Sequence, residues 1–176
     1  MSKQRTVAIL DGEPPNLLPT EIVHRLLNEQ MSANIERMES EMLEHAQVDI
    51  PVTHRFINGM YAREIIIPAD TLLTGRVHKN PYVDIMLSGD IEVATPDGIR
   101  RLQGTHILEG LPGRKRAGYA YQDTRWITVH RTNETDPDKM IDHLTYFSMA
   151  QYNAAMQCLK QEKDEEELLC LLLPPR

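Results

Sequence analysis

Short runs of β-forming residues, separated by turns, fill the middle of this sequence and constrain its fold more than any other feature. Between residues 51 and 131, runs rich in Ile, Val, Thr and Tyr are interrupted every few positions by Gly or Pro. The breaks include Asn58-Gly59 and Pro96-Asp97-Gly98, which are typical of tight turns between antiparallel strands. Many short strands at this spacing build a sandwich or a barrel. The predicted strands span residues 53–57, 60–67, 71–78, 82–87, 90–95, 99–102, 106–109, 116–121 and 125–131.

Helical patterns flank this β-rich segment on both sides. Apolar residues from Val23 to Met42 recur every three or four positions and form one stripe, and Thr20 can cap the helix that they predict. On the other side, Asp136-Pro137 is a typical helix start, and a second helical stretch follows at about 148–172. The predicted organisation is an extended, proline-rich arm at 1–19, an amphipathic helix at 20–47, a barrel at 51–135 and a C-terminal helical extension at 136–176.

The composition narrows the class of protein. The net charge is −7, from 26 acidic and 19 basic residues, which argues against general nucleic-acid binding. The longest apolar run, Leu168–Leu173, is far shorter than the roughly 20 residues of a membrane span, so we expect no membrane insertion. The sequence shows no signal-peptide pattern, and its two cysteines both lie in the helical tail. These features predict a reduced, cytoplasmic compartment.

Several motifs of the β-rich segment resemble the cupin core. The stretch Tyr61–Lys79 resembles the first cupin motif, Ile85–Val93 resembles its strand, glycine turn and return strand, and Leu111–Arg116 resembles the second motif. The end, Trp126–Asp136, is similar to cupin-like proteins that tailed bacteriophages encode, most of which have no assigned function. The resemblance covers residues 53–138. It implies a mainly β fold, a cupin-like barrel flanked by helices, and a phage origin, with the host cytoplasm or the virion as the location.

The resemblance also implies where a metal would bind, and the sequence departs from that pattern. Cupins use two His separated by one residue, then a Glu, and a further His from the second motif. Here His78 matches one position, Asn80 and Tyr82 stand at the usual ligand spacings, Asp84 has an unusual spacing, and Arg116 replaces the last His. We therefore expect no standard metal centre and no cofactor. The alternative is a divalent metal held by three histidines on different strands, which are His54, His78 and His130.

Arg116 suggests a different chemistry. If it points into the barrel, its buried guanidinium needs a partner, which is a carboxylate such as Asp84 or Glu64, or an anionic ligand. In the alternative interpretation, Arg114-Lys115-Arg116 is a solvated surface turn. The aromatic residues of the strands either pack in the core or offer a stacking surface for a base or a sugar. The predicted ligand-binding residues are His54, His78, Tyr82, Asp84, Arg116 and His130.

The sequence is compatible with three functions. The first is a small-molecule-binding protein, with an anionic or nucleotide-like ligand. The second is a structural or assembly protein of a virion or oligomer that uses the barrel as a scaffold, since long helices outside a small barrel commonly make contacts between copies. The third is a metal-dependent cupin enzyme. No nucleophile motif or phosphate-binding glycine loop is present, so catalysis is not favoured. We also expect a homo-oligomer, a dimer or larger, that associates through the helices.

Overall fold

The computed structural model describes the backbone of residues 20–172 and the side chains of residues 27–163, so the predicted arm at 1–19 lies outside the described residues. The helices and strands, in chain order, are α1 (Thr20–Met42), β1 (Val52–Ile57), β2 (Met60–Ile67), β3 (Thr71–Thr74), β4 (Val77–His78), β5 (Tyr82–Thr95), β6 (Gly98–Gln103), β7 (His106–Gly110), β8 (Ala117–Arg131), α2 (Pro137–Leu144), β9 (Thr145–Tyr146) and α3 (Met149–Leu172). The predicted fold class, mainly β with flanking helices, is confirmed.

Two long strands, β5 and β8, hold the barrel together. The strands β1, β2, β8, β5 and β6 pair in this order, while β3 adds to β8 and β7 adds to β5. The pairing of β5 with β8 is antiparallel along nearly their whole length, with register shifts between Met86 and Ile91. Such bulges bend a strand and increase its twist, so both strands curve from one wall of the barrel to the other.

The continuity of these strands differs from the sequence prediction. Residues 82–87 and 90–95 were predicted as separate strands, as were 116–121 and 125–131, but each pair forms one strand. The Ser88-Gly89 sequence makes a bulge instead of a hairpin turn, because β5 continues to pair with β8 on both sides of it. Conversely, the predicted strand 71–78 is divided into β3 and β4, with Gly75 and Arg76 between them.

The strand register arranges the inward side chains in rows across the first wall. One row contains Phe56, Tyr61 and His130, and the next contains His54, Arg63, Thr128 and Asp84. The third row contains Val52, Ile65, Trp126 and Met86. Because side chains alternate between the two faces of a strand, each row lies two residues further along every strand. An aromatic row, a charged row and an apolar row therefore succeed each other along the barrel.

The helices pack on the outside and at one end of the barrel. Helix α1 buries Ile35 against the barrel, and the Asn28 side-chain amide donates to the carbonyl of Gly113 at 2.8 Å. It ends at Met42, earlier than the predicted residue 47, and the side-chain amide of Gln47 donates to the Met42 carbonyl. As predicted, α2 starts at Pro137 with Asp136 as its cap. None of the helices in residues 20–172 is long and apolar enough to span a membrane.

Candidate ligand-binding site

The interior of the barrel contains a cavity of about 580 Å³. This volume lies within the range of pockets that bind small molecules, roughly 300–1,000 Å³. The structure places every predicted ligand-binding residue on its wall, namely His54, His78, Tyr82, Asp84, Arg116 and His130. Helix α2 closes one end of the cavity, where Met140 and Leu144 pack against Tyr61. This end is called the polar end below, because it contains the rings of His78, Tyr82 and His130. The cavity thus brings together residues that lie far apart in the sequence.

Stacked aromatic rings line the polar end of the cavity. The centroids of His78 and Tyr82 lie 3.8 Å apart, and the ring of His130 lies 5.2 Å from His78 and 5.1 Å from Tyr82. Tyr61 continues the series toward His54, whose Nδ1 lies 2.7 Å from the Tyr61 hydroxyl. Because these rings cover each other's faces, a ligand meets mainly their polar edges. The arrangement does not favour the hypothesis that they stack on a base or a sugar.

The position of Tyr82 in this stack depends on Gly110. The two residues are paired across β5 and β7, and a Cβ atom at residue 110 would lie 2.3 Å from the Tyr82 ring. Only a residue without a side chain allows the ring to lie flat over the neighbouring backbone. The glycine therefore fixes where the Tyr82 hydroxyl lies.

Two buried polar atoms of the stack have no hydrogen-bond partner among the described residues. They are Nδ1 of His78 and the hydroxyl of Tyr82, and Tyr82 as a whole is only 6% exposed. An unpaired buried donor or acceptor costs about 1–3 kcal/mol, so native proteins seldom leave one without a function or a bound molecule. Both atoms belong to residues that line the cavity.

Burial keeps three groups of the stack, those of His78, His130 and Tyr82, uncharged at neutral pH. Burial is the main cause that lowers the pKa of His78 to about 3, helped by His130, Arg116 and Arg63. Burial likewise lowers the pKa of His130 to about 4, with a further contribution from Arg63. For Tyr82, burial raises the pKa to about 12. The stack therefore offers neutral donors and acceptors.

Arg116 reaches into the barrel and pairs with Asp84. Its Nη1 lies 2.6 Å from Oδ2 of the Asp84 carboxylate, which is 3% exposed. The other oxygen of Asp84 accepts hydrogen bonds from Trp126 Nε1 at 2.9 Å and from the Thr128 hydroxyl at 3.1 Å. Burial raises the pKa of Asp84, whereas Arg116 opposes this change. Of the two carboxylates considered as partners for Arg116, the structure pairs it with Asp84, because Glu64 instead bonds Arg55 and Arg125.

The alternative of a solvated turn at residues 114–116 is wrong for Lys115 and Arg116. Lys115 is 1% exposed, and its ammonium lies 2.9 Å from the Glu39 carboxylate. Helix α1 covers this turn, which a sequence pattern of three basic residues does not show.

Arg63 is a site residue that the sequence analysis missed. It lines the cavity between Tyr61 and Ile65 and is half-buried, and this burial lowers its pKa. Within residues 27–163, no carboxylate lies within ion-pair distance of its guanidinium. The sequence pattern could have indicated this position, because strict alternation along β2 puts Arg63 on the same face as Tyr61, Ile65 and Ile67.

The donors of this cavity do not fit a standard cupin metal centre. At the position of the last expected ligand, the guanidinium of Arg116 introduces a positive charge, and it is already held by Asp84. His54 is bonded to Tyr61 at the rim of the cavity. Among the described side chains, no group of three His, Cys, Asp or Glu is arranged to hold a metal ion. The three-histidine metal site stays a prediction.

Comparisons with known proteins find similarities to this chain in structure alone. No protein-family model and no curated protein matches the sequence. The cupin_2 domain of an XRE family transcriptional regulator from Enterobacter cloacae is 13% identical, with a TM-score of 0.41, over 48% of this chain and 98% of that chain. Ectoine synthase from P. lautus is 16% identical, with a TM-score of 0.46, over 58% of this chain and 78% of that chain. A cupin-2 domain containing protein from Shewanella frigidimarina is 13% identical, with a TM-score of 0.39, over 57% of this chain and 98% of that chain.

These similarities concern the fold alone. The phage origin implied by the resemblance of residues 126–136 is not addressed by them and stays a prediction.

Proposed function

We propose that this protein binds a small anionic organic molecule inside the barrel, with Arg63 as its anchor. The observation that carries this proposal is a half-buried guanidinium on the cavity wall without a carboxylate partner among the described residues. A guanidinium presents several donors in one plane and binds carboxylates or phosphates through two parallel hydrogen bonds. An anion at Arg63 would supply the partner that the described part of the chain does not provide.

The charges around the cavity favour an anion over a cation. Asp84 is the buried carboxylate of the wall, and Arg116 already pairs with it. His78 and His130 are neutral, because their pKa values are about 3 and about 4. The cavity-lining charges without an ion-pair partner among the described residues are Arg63 and Asp138, which is exposed at the start of α2. The half-buried charge of the two is that of Arg63. A bound cation would be repelled by it, whereas a bound anion would be attracted.

The other two functions have less support. The donor set of the described residues does not fit the metal centre that a metal-dependent cupin enzyme needs. The use of the barrel as a scaffold, and a homo-oligomer that associates through the helices, stay predictions.

A thermal-shift screen tests the proposal. We expect sodium salts of small carboxylates and phosphates, including nucleotides, to contain at least one compound that raises the melting temperature, because binding to the folded state stabilises it. Arg63→Gln should weaken binding of that compound at least about ten-fold, since hydrogen bonds to charged groups contribute about 1.5–3 kcal/mol.

The matched control is Arg100→Gln, which makes the same change at an exposed position of β6, outside the cavity. It should leave binding unchanged. A screen without any hit, or a hit that binds equally well to Arg63→Gln, would refute the proposal.

A further inference from the structure

We infer that the ligand is an amphipathic monoanion, with one carboxylate at Arg63 and an apolar body that extends along the barrel. This inference rests on the proposed function and specifies its ligand class. It comes from the order of the rows on the cavity wall.

The wall changes from polar to apolar on one side of Arg63. The row of Arg63 contains Thr128 and Asp84, and the next row in the direction away from α2 contains Val52, Ile65 and Trp126. Three further apolar side chains, from Leu73, Ile91 and Val93, line the cavity and pack with Ile65 and Trp126 in the apolar core. A molecule anchored at Arg63 that extends in this direction contacts hydrocarbon. Burial of apolar surface in such a pocket favours binding, at about 25 cal/mol per Å².

On the other side of Arg63, towards α2, the wall offers polar groups. Towards α2, the next row contains Tyr61 and His130, whose polar edges lie beside Arg63. The unpartnered Tyr82 hydroxyl lies in the same region. A carboxylate at Arg63 therefore has additional donors within the polar end, while the apolar end offers none. The carboxylate of the ligand should therefore face the polar end, towards α2, and its apolar body should extend away from α2.

The charge balance limits the ligand to one negative charge. Two other arginines line the cavity, but Arg116 is paired with Asp84 at 2.6 Å and Arg76 with Asp142 at 2.8 Å. A second carboxylate at the far end of the ligand would lie against Ile65, Ile91 and Val93. A charge buried without a partner is strongly unfavourable, so a dianion should bind poorly.

The same features argue against the nucleotide-like ligand that the sequence suggested. A nucleotide carries more than one charge and a base that needs hydrogen bonds or a free aromatic face. In the polar end, the faces of His130 and Tyr82 are covered by neighbouring rings. The apolar end has no charged side chain to receive a phosphate, and the indole N–H of its aromatic residue, Trp126, already donates to Asp84.

Calorimetric titration with four matched compounds tests the inference. Octanoate has the head and the body, acetate has only the head, octanol has only the body, and suberate has a carboxylate at each end. We expect octanoate to bind at least ten-fold more tightly than each of the other three, and to lose at least ten-fold in affinity with Arg63→Gln.

A pair of adjacent leucines tests the position of the body. Leu73 lines the cavity, whereas Leu72 lies on the other face of β3 and is 41% exposed. Leu73→Phe should fill part of the apolar end and weaken octanoate more than butanoate. Leu72→Phe should leave both affinities unchanged, and the melting temperatures of the two variants show whether each one folds.

The outcomes separate this inference from the proposed function. If acetate, phosphate or a nucleoside monophosphate binds in an Arg63-dependent manner and octanoate binds no better, the inference is overturned and the proposed function stands. If no anion binds, or if binding does not depend on Arg63, both are overturned.

Discussion

Gly89 lies where β5 bends from one wall of the barrel to the other, and two separate constraints require glycine there. Its φ is +121°, a backbone conformation that other residues rarely adopt. In addition, a Cβ atom at this position would lie 2.3 Å from the hydroxyl oxygen and 2.6 Å from the Cα atom of Thr124. The close contact with β8 is what allows the two long strands to stay paired through the bend.

A comparison of two glycines separates these constraints. Gly98 has nearly the same φ, +120°, but no atom lies within 4 Å of the position of its Cβ. We expect Gly98→Ala to lower the free energy of unfolding by about 1–3 kcal/mol, which is the usual cost of such a backbone conformation. Gly89→Ala should have a clearly larger effect, because the steric overlap adds to the strain.

Chemical denaturation of both variants measures the difference. Equal effects at the two positions would show that the contact with Thr124 does not constrain the bend.

At the scale of single residues, the sequence predicted many of the residues that line the cavity but not their charge balance. The resemblance to cupin motifs directed attention to His78, Tyr82 and Arg116, and all three line the cavity. Arg63 was missed because a charged residue in a strand is most often exposed, although the alternation along β2 places it inside. Lys115 was missed because its burial depends on α1, and no local pattern shows which helix covers a turn.

At the scale of the elements, α1 is fastened to the barrel by an ion pair that is largely buried. The side chain of Lys115 is only 2% exposed, and its ammonium group lies 2.9 Å from the Glu39 carboxylate. Removal of one partner of such a pair leaves a buried charge without compensation, whereas removal of both is often tolerated.

We therefore expect Glu39→Gln to lower the free energy of unfolding by about 3 kcal/mol. The double variant Glu39→Gln, Lys115→Met should recover most of this loss, because the buried ammonium is no longer present. Urea denaturation compares these variants with Glu41→Gln, which is exposed on the same helix and should have little effect. A double variant that is less stable than Glu39→Gln alone would contradict this explanation.

The elements themselves were largely predictable from the sequence. Alternating β-branched residues and turn residues gave nearly every strand, and Asp136-Pro137 marked the start of α2. The bends of β5 and β8 were not predictable in the same way. A glycine at a bulge and a glycine at a turn look alike in sequence, and only the pairing partner of the strand distinguishes them.

At the scale of the whole molecule, His78 and His130 make the stability of the protein depend on pH. His78 and His130 have pKa values of about 3 and about 4 in the folded protein. In the unfolded chain, histidine has a pKa of about 6.5, so below this pH the unfolded state takes up protons that the folded state does not. The folded state is therefore favoured fully above pH 6.5 and loses stability as the pH falls toward 4.

We expect the free energy of unfolding to decrease between pH 6.5 and pH 4.5, with each imidazole contributing at most about 1.4 kcal/mol per pH unit. Replacing His78 by Asn should reduce this dependence, whereas His45→Asn, at an exposed position after α1, should not change it. Denaturation curves at several pH values provide the measurement. A stability that is constant over this range, or that rises as the pH falls, would be inconsistent with neutral, buried histidines.

The rows of inward side chains have an evolutionary consequence. Because the charged row and the apolar row are contributed by different positions of the same strands, a substitution in one row leaves the pairing of the strands and the other row in place. Selection for a different head group would act on Arg63 and its neighbours, and selection for a longer or shorter body would act on Val52, Ile65 and Trp126. Descendants of this barrel could therefore change the head group and the body of the ligand one at a time. Substitutions at two positions of β2, Arg63 and Ile65, would suffice to begin both changes.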